Sequence, residues 1–284
     1  MPEIPASSNP AAITIPAPAP VPTLAPVARP TGTTTTTTPV APSIPVRALS
    51  KSEKSLMLAS ARNHIQRAMI IDGAVPIVMQ RNEMVAAAIK LAMGPFSSDD
   101  MHAQVPTSAT KEIIGAMSAV RRAFKQHAFS QINQVFGLRS EGSPTSRITY
   151  RKERVRYLLK DFNFLRDLSQ PQNEPSYFTT PFFQHFMINM LFLTPMKLWQ
   201  HVQDGCLDTT FALGATAIAA ALGDFWKGYY CDVDAKADNW REQYTKAIDL
   251  ISLMRSKPDG NEWLTRYQQC IITHGKAELP PVNL

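Results

Sequence analysis

The side chains best suited to metal ligation or nucleophilic chemistry are six histidines, His64, His102, His127, His185, His201 and His274, and three cysteines, Cys206, Cys231 and Cys270. A structural zinc ion needs about four such ligands in a tetrahedral array. His201 and Cys206 lie close in sequence, but no Cys-x-x-Cys pair occurs. Cys206 and Cys231 with His185 and His201 are the pairs that a nucleophile–base arrangement would draw on. Single core or surface residues are the plainer reading, because free cysteine packs as a small hydrophobe. The sequence therefore predicts no catalytic residue, no metal site and no cofactor.

Asp232-Val-Asp234-Ala-Lys236-Ala-Asp238 begins like a calcium loop. It departs from one where ligation is decided: Lys236 replaces a ligand, Ala237 the turn glycine, and Gln243 the bidentate glutamate. A solvated loop that caps the next helix through Asp238 is expected instead. Phosphate cradles need glycine-freed backbone amides, and the 12 glycines are spread singly. Neither a Gly-x-Ser-x-Gly elbow nor a His-Glu-x-x-His helix is present.

The formal charge of +6 has one main source. Arg147, Arg151, Lys152, Arg154, Arg156 and Lys160, against Glu153, carry nearly all of it, and the N-terminal tail adds one. Clustered cations neutralise phosphates without reading bases, and Tyr150 and Tyr157 offer stacking surface. Helical projection divides the cations. Arg151 and Arg154 fall on one flank of the Val155/Leu158/Leu159/Phe162 stripe, and Lys152, Arg156 and Lys160 on the other. That split suits side chains lying along a buried edge with their charges in water, and it leaves Arg151, Lys152, Arg154, Arg156 and Lys160 as an alternative nucleic-acid contact.

The elements carrying these residues are helices. Residues 1–47 form a disordered Pro/Thr-rich tail by composition: about half of the 23 prolines and the run Thr33–Thr38 lie there, without aromatic anchors to offset ordering entropy. Pro42-Ser-Ile-Pro45-Val-Arg47 has the PxxPx+ spacing of SH3 ligands, a match that proline-rich linkers often contain. A single helical domain spans 48–284. Ser50 and Glu53 form a capping box, with Leu58, Ala61, Ile65, Ala68 and Met69 at helical period behind it. After Asp72-Gly73 and Pro76, a second helix presents Met84, Ala88 and Leu91 and stops at Gly94-Pro95. The third, about 109–136, carries Ile113, Met117, Val120, Phe124, Ile132 and Val135, with Gly137 placed to end it. The basic helix covers about 149–162, and a polar loop about 168–178. Thr180-Pro181 opens a Phe/Met-rich helix to Phe192, and an Ala/Gly helix runs from about 209 to 230. Trp240, Tyr244, Ala247, Ile251 and Met254 mark the next helix, and Trp263, Tyr267 and Ile271 a short last one. The fold class is all-α, an irregular bundle of about seven or eight helices.

The apolar stretch 211–222 is shorter than the roughly 20 residues needed to cross a bilayer, and Asp208 and Asp224 flank it. No membrane association is expected. Without a basic and apolar leader at Met-Pro-Glu-Ile-Pro, and with three unpatterned cysteines, the expected location is intracellular, cytoplasmic or nuclear.

Several strings carry a family likeness. Ala61-Arg-Asn-His-Ile-Gln-Arg-Ala68, Arg154-Val-Arg-Tyr-Leu-Leu-Lys-Asp-Phe-Asn-Phe164, Pro181-Phe-Phe-Gln-His-Phe186, Phe211-Ala-Leu-Gly-Ala-Thr-Ala-Ile218 and Asp224-Phe-Trp-Lys-Gly228 occur in that order, followed by Tyr244-Thr-Lys-Ala-Ile-Asp-Leu250. From Leu58 to Met254 the chain resembles a fungal domain-of-unknown-function family, number 6532. Two of that family's acidic positions are replaced here, by Ala219 and Phe225. The resemblance implies a helical unit and supplies no activity. The sequence thus points to a non-enzymatic helical interaction module, with a protein partner or a second copy as occupant and nucleic acid as the alternative.

Overall fold

The computed structural model describes residues 46–97, 102–139, 142–166, 177–202, 206–232 and 237–279. Eight α-helices are present among them: α1 (Lys51–Ile71), α2 (Val78–Met93), α3 (Ala109–Val135), α4 (Pro144–Leu159), α5 (Pro181–Ile188), α6 (Asp208–Gly223), α7 (Ala237–Arg255) and α8 (Gly260–Ala277). The only paired strands among the described residues are two dipeptides, Val46–Arg47 and His102–Ala103, which pair in parallel. The fold is all-α. The tail through residue 45 and the calcium-like positions 233–236 lie outside the described residues, as do most of the SH3-like string and of the 168–178 loop.

Helix starts follow their capping residues. The Ser50 hydroxyl accepts from the Glu53 amide, and the Glu53 carboxylate accepts from the Ser50 amide at 2.9 Å. The same carboxylate holds Arg47 through two hydrogen bonds of 2.8 and 3.1 Å, tying β1 (Val46–Arg47) to α1. The bonds from Arg47 and Ser50 hold the Glu53 carboxyl down to about 2. Thr180 caps α5 by accepting from the Phe183 amide, with Pro181 in the first turn. Gly137 follows α3 with φ +62, a left-handed conformation that glycine adopts without strain.

The centre is α6, buried on nearly every side. Its small residues let neighbours approach closely. A Cβ on Gly214 would stand 2.7 Å from Met187 Sδ and 3.3 Å from the Phe186 ring. α3 and α7 pack along α6, while α1 pairs with α2 and α3. Phe178, Phe183 and Phe211 form an aromatic knot with ring centroids 5.2 to 5.6 Å apart. Each buried phenyl removes enough apolar surface from water to contribute about 2 kcal/mol. Asp208, at the start of α6, accepts two 2.7 Å hydrogen bonds from Arg255 of α7 and one of 2.6 Å from Gln268 of α8. Three helices are thereby joined at one carboxylate.

Expectations about five elements change. Leu91 and Val135 are exposed, and the buried face of α2 is Val85, Ala88, Ile89 and Ala92. Helix α4 starts earlier, because Ser143 caps it and Pro144 occupies its first turn. It ends earlier too, since Asp161 and Phe162 adopt left-handed backbone (φ 49 and 54) so that Phe162 and Phe164 can both be buried. Helix α6 stops at Gly223, and residues 224–230 form a turn instead of its last two turns. The final helix is long, at 18 residues.

Candidate functional site

The basic helix shows how its cations divide. Arg151 donates from Nε to the Leu138 carbonyl at 2.9 Å and from Nη1 to the Gly228 carbonyl at 3.1 Å, and lies over the Phe225 ring. Arg154 donates to the Phe136 carbonyl at 3.2 Å and lies over the Tyr157 ring. Both therefore serve packing, by satisfying carbonyls at the end of α3 and in the 224–230 turn. Lys152 and Arg156 stand exposed one turn apart on α4, and Lys160 is exposed at its C-cap, where the backbone is extended. The fold thus engages Arg151 and Arg154, while Lys152, Arg156 and Lys160 are exposed.

Arg151 also fixes an aromatic turn. Between α6 and α7, Trp226, Tyr229 and Tyr230 are each about half exposed (51, 49 and 53%) within five residues. Gly228 makes the turn possible. Its φ is +85, and a Cβ there would collide with the Ile148 carbonyl oxygen of α4. Ile148, itself 41% exposed, extends the apolar surface beside the turn. The Lys227 ammonium lies 5.2 Å from the centre of the Trp226 ring. Tyr230 is anchored at its inner edge, its ring 5.2 Å from that of Phe129.

On the other side of the same turn a cavity of about 740 Å³ opens between α3 and the start of α7. Ser118, Arg121, Arg122, Lys125, Gln126 and Phe129 of α3 line one wall. They follow the spacing i, i+3, i+4, i+7, i+8, i+11 and so occupy one face of the helix. At the floor Lys125 Nζ stands 2.9 Å from Asp224, which is buried, and 3.4 Å from the exposed Asp232. Arg121 donates to the Ala74 carbonyl and to Ser118 Oγ, both at 3.3 Å. Burial, with Arg81 beside it, lowers the pKa of the Arg121 guanidinium.

The sequence profile of the family described as Domain of unknown function (DUF6532) matches residues 60–253. The chain belongs to this family. No curated protein and no solved structure matches it. The aromatic turn and every residue lining the cavity lie inside the matched span, so both are parts of the DUF6532 domain.

The sequence-suggested Cys/His pairs are not brought together. Cys206 is exposed and Cys231 half-buried, and among the described residues neither is hydrogen-bonded to His185 or His201. A Cys–His contact does occur elsewhere, where Cys270 Sγ lies 3.4 Å from His274 Nδ1, one turn on along α8. The i, i+4 spacing was the available signal for it. Neither residue lines the cavity between α3 and α7. His201 has a sealed Nε2 without a partner among the described residues and sits beside Arg67 and His64 at a shallow cavity of about 280 Å³. Its pKa is lowered by burial first and by those two neighbours next. Among the described residues no three His, Cys, Asp or Glu side chains gather as metal ligands, and no helix is long and apolar enough to cross a membrane.

Proposed function

We propose that this domain is a non-enzymatic helical interaction module that engages a protein partner, a second copy of the chain included, through the aromatic turn. One observation carries this reading: Trp226, Tyr229 and Tyr230 are held half-exposed by a glycine-dependent turn pinned to α4. Exposing large apolar rings is unfavourable unless something covers them, and tryptophan, tyrosine and arginine dominate the energetics of protein interfaces. The rigid mounting matters equally, because a pre-ordered anchor loses little entropy when a partner docks.

Affinity capture with the full chain, with and without nuclease, tests the proposal. Retention of the same protein set after nuclease treatment is the expected result. Loss of that set would transfer the function to nucleic acid.

A second reading has its own support. Lys152 and Arg156 are exposed on α4 and Lys160 just past its end; these would contact phosphates, while Arg151 and Arg154 would act only by holding the helix in place. Duplex DNA or RNA should then bind at low salt, and weaken steeply as salt rises.

A further inference from the structure

The cavity between α3 and α7 has more donors than its own structure uses. At about 740 Å³ it falls within the range of small-molecule sites, roughly 300–1,000 Å³. Lys125 is engaged by Asp224 and Asp232. Arg121 has two hydrogen bonds to protein, whereas a guanidinium carries five N–H donors. Arg122 is exposed on the same wall and has no acidic partner among the described residues. Trp240 lines the opposite side, is only 5% exposed, and its indole Nε1 is sealed from water without an acceptor among the described residues. A buried donor left in that state costs about 1–3 kcal/mol, and such groups mark places where an acceptor is missing. Phe129, Tyr230 and Trp240 add three aromatic side chains to the lining.

We propose that this cavity is a binding site for a small organic anion built on a flat ring, with its phosphate or carboxylate against Arg121 and Arg122 and its ring among Phe129, Tyr230 and Trp240. The guanidinium groups supply planar, paired donors to the anion. The aromatic walls exclude water from the ring and favour a planar ligand over an aliphatic one. Asp224 and Asp232 hold Lys125, so the anion is directed to the two arginines. The site shares Tyr230 with the aromatic turn, but a small ligand here requires no partner chain, so its binding is read separately from protein capture.

Calorimetric titration of the full chain at low salt tests it with four probes: adenosine monophosphate, 4-hydroxybenzoate, adenosine and inorganic phosphate. At least one of the two ring-bearing anions should saturate, at least tenfold tighter than both adenosine and inorganic phosphate. The nucleotide and the benzoate arms distinguish a phosphate ligand from a carboxylate one. Arg122→Glu, an exposed change that leaves the core untouched, should weaken that binding at least tenfold. Trp240→Phe should weaken it as well, with circular dichroism confirming that the helices persist. The proposal is overturned if neither ring-bearing anion saturates by about 5 mM, a Kd weaker than roughly −3 kcal/mol of binding. It is equally overturned if inorganic phosphate binds as tightly as the ring-bearing anions, or if Arg122→Glu leaves their affinity unchanged.

Discussion

Lys125 of α3 places its Nζ 2.9 Å from the carboxylate of Asp224, a group with only 2% of its side chain exposed, at the point where α6 gives way to the aromatic turn. The pair joins the longest helix to the segment that shapes both the exposed aromatic surface and the cavity. Removing one member of a buried pair leaves the other charge without its main compensation. Lys125→Met should therefore destabilise the domain by about 3 kcal/mol, read as a lowered urea midpoint with unchanged slope. Replacing both residues, as Lys125→Met with Asp224→Leu, should recover part of that loss. A single variant as stable as the parent would show that Asp224 is held by other groups.

Gly228→Ala should disrupt the aromatic turn specifically. The new Cβ meets the Ile148 carbonyl while the backbone is in a left-handed region that L-residues adopt at a cost. A loss of about 2 kcal/mol is expected. Amide exchange should accelerate at residues 225–230, while α1 and α2 keep their protection. Uniform acceleration across all helices would mean that the turn is not a separable unit.

Phe211 tests the core. It is fully buried and contacts Phe178, Phe183 and Tyr267 through ring pairs. Phe211→Ala should cost about 3–5 kcal/mol, from lost transfer energy and the cavity left behind. Phe211→Leu should cost less than half as much. Thermal unfolding followed by circular dichroism would distinguish the two.

Stability should depend on pH through His127. Burial, reinforced by the neighbouring His185, holds its imidazole below the usual histidine range. The unfolded chain then takes up the proton first. The contribution is fully present above about pH 6.5 and declines as the pH falls through the depressed folded value. His201 acts in the same direction. The urea midpoint should fall between pH 7.5 and pH 5, and His127→Gln should remove part of that fall. An identical fall in the variant would assign the dependence elsewhere.

The helical class and most core stripes were legible because apolar residues at a 3.6-residue period reach the core in any helical packing. Ile113, Met117, Val120 and Phe124 are all fully buried, as are Ala61, Ile65 and Met69. Backbone changes of hand were not legible. Asp161 and Phe162 end α4 in left-handed conformations that favour glycine or asparagine, so no residue type announced the break. Projection separates Arg151 and Arg154 from Lys152 and Arg156, and the first two are half-buried where the second two are exposed. What projection could not show was that Arg151 and Arg154 reach carbonyls on other elements. The cavity was hidden for a related reason. Ser118, Arg121, Arg122, Lys125 and Gln126 read as the wetted face of an amphipathic helix until Trp240 and the 224–232 segment stand opposite them. The aromatic turn lay inside a stretch that reads as continuous helix, because only Gly223 and Gly228 interrupt it.

The interaction reading is tested most directly by repeating the nuclease-treated affinity capture with two folded variants in parallel. One is Trp226→Ala with Tyr229→Ala; the other replaces Lys152, Arg156 and Lys160 by glutamate. Loss of the captured proteins with the aromatic variant, and their retention with the charge variant, is the predicted result. Retention with the aromatic variant and loss with the charge variant would contradict it.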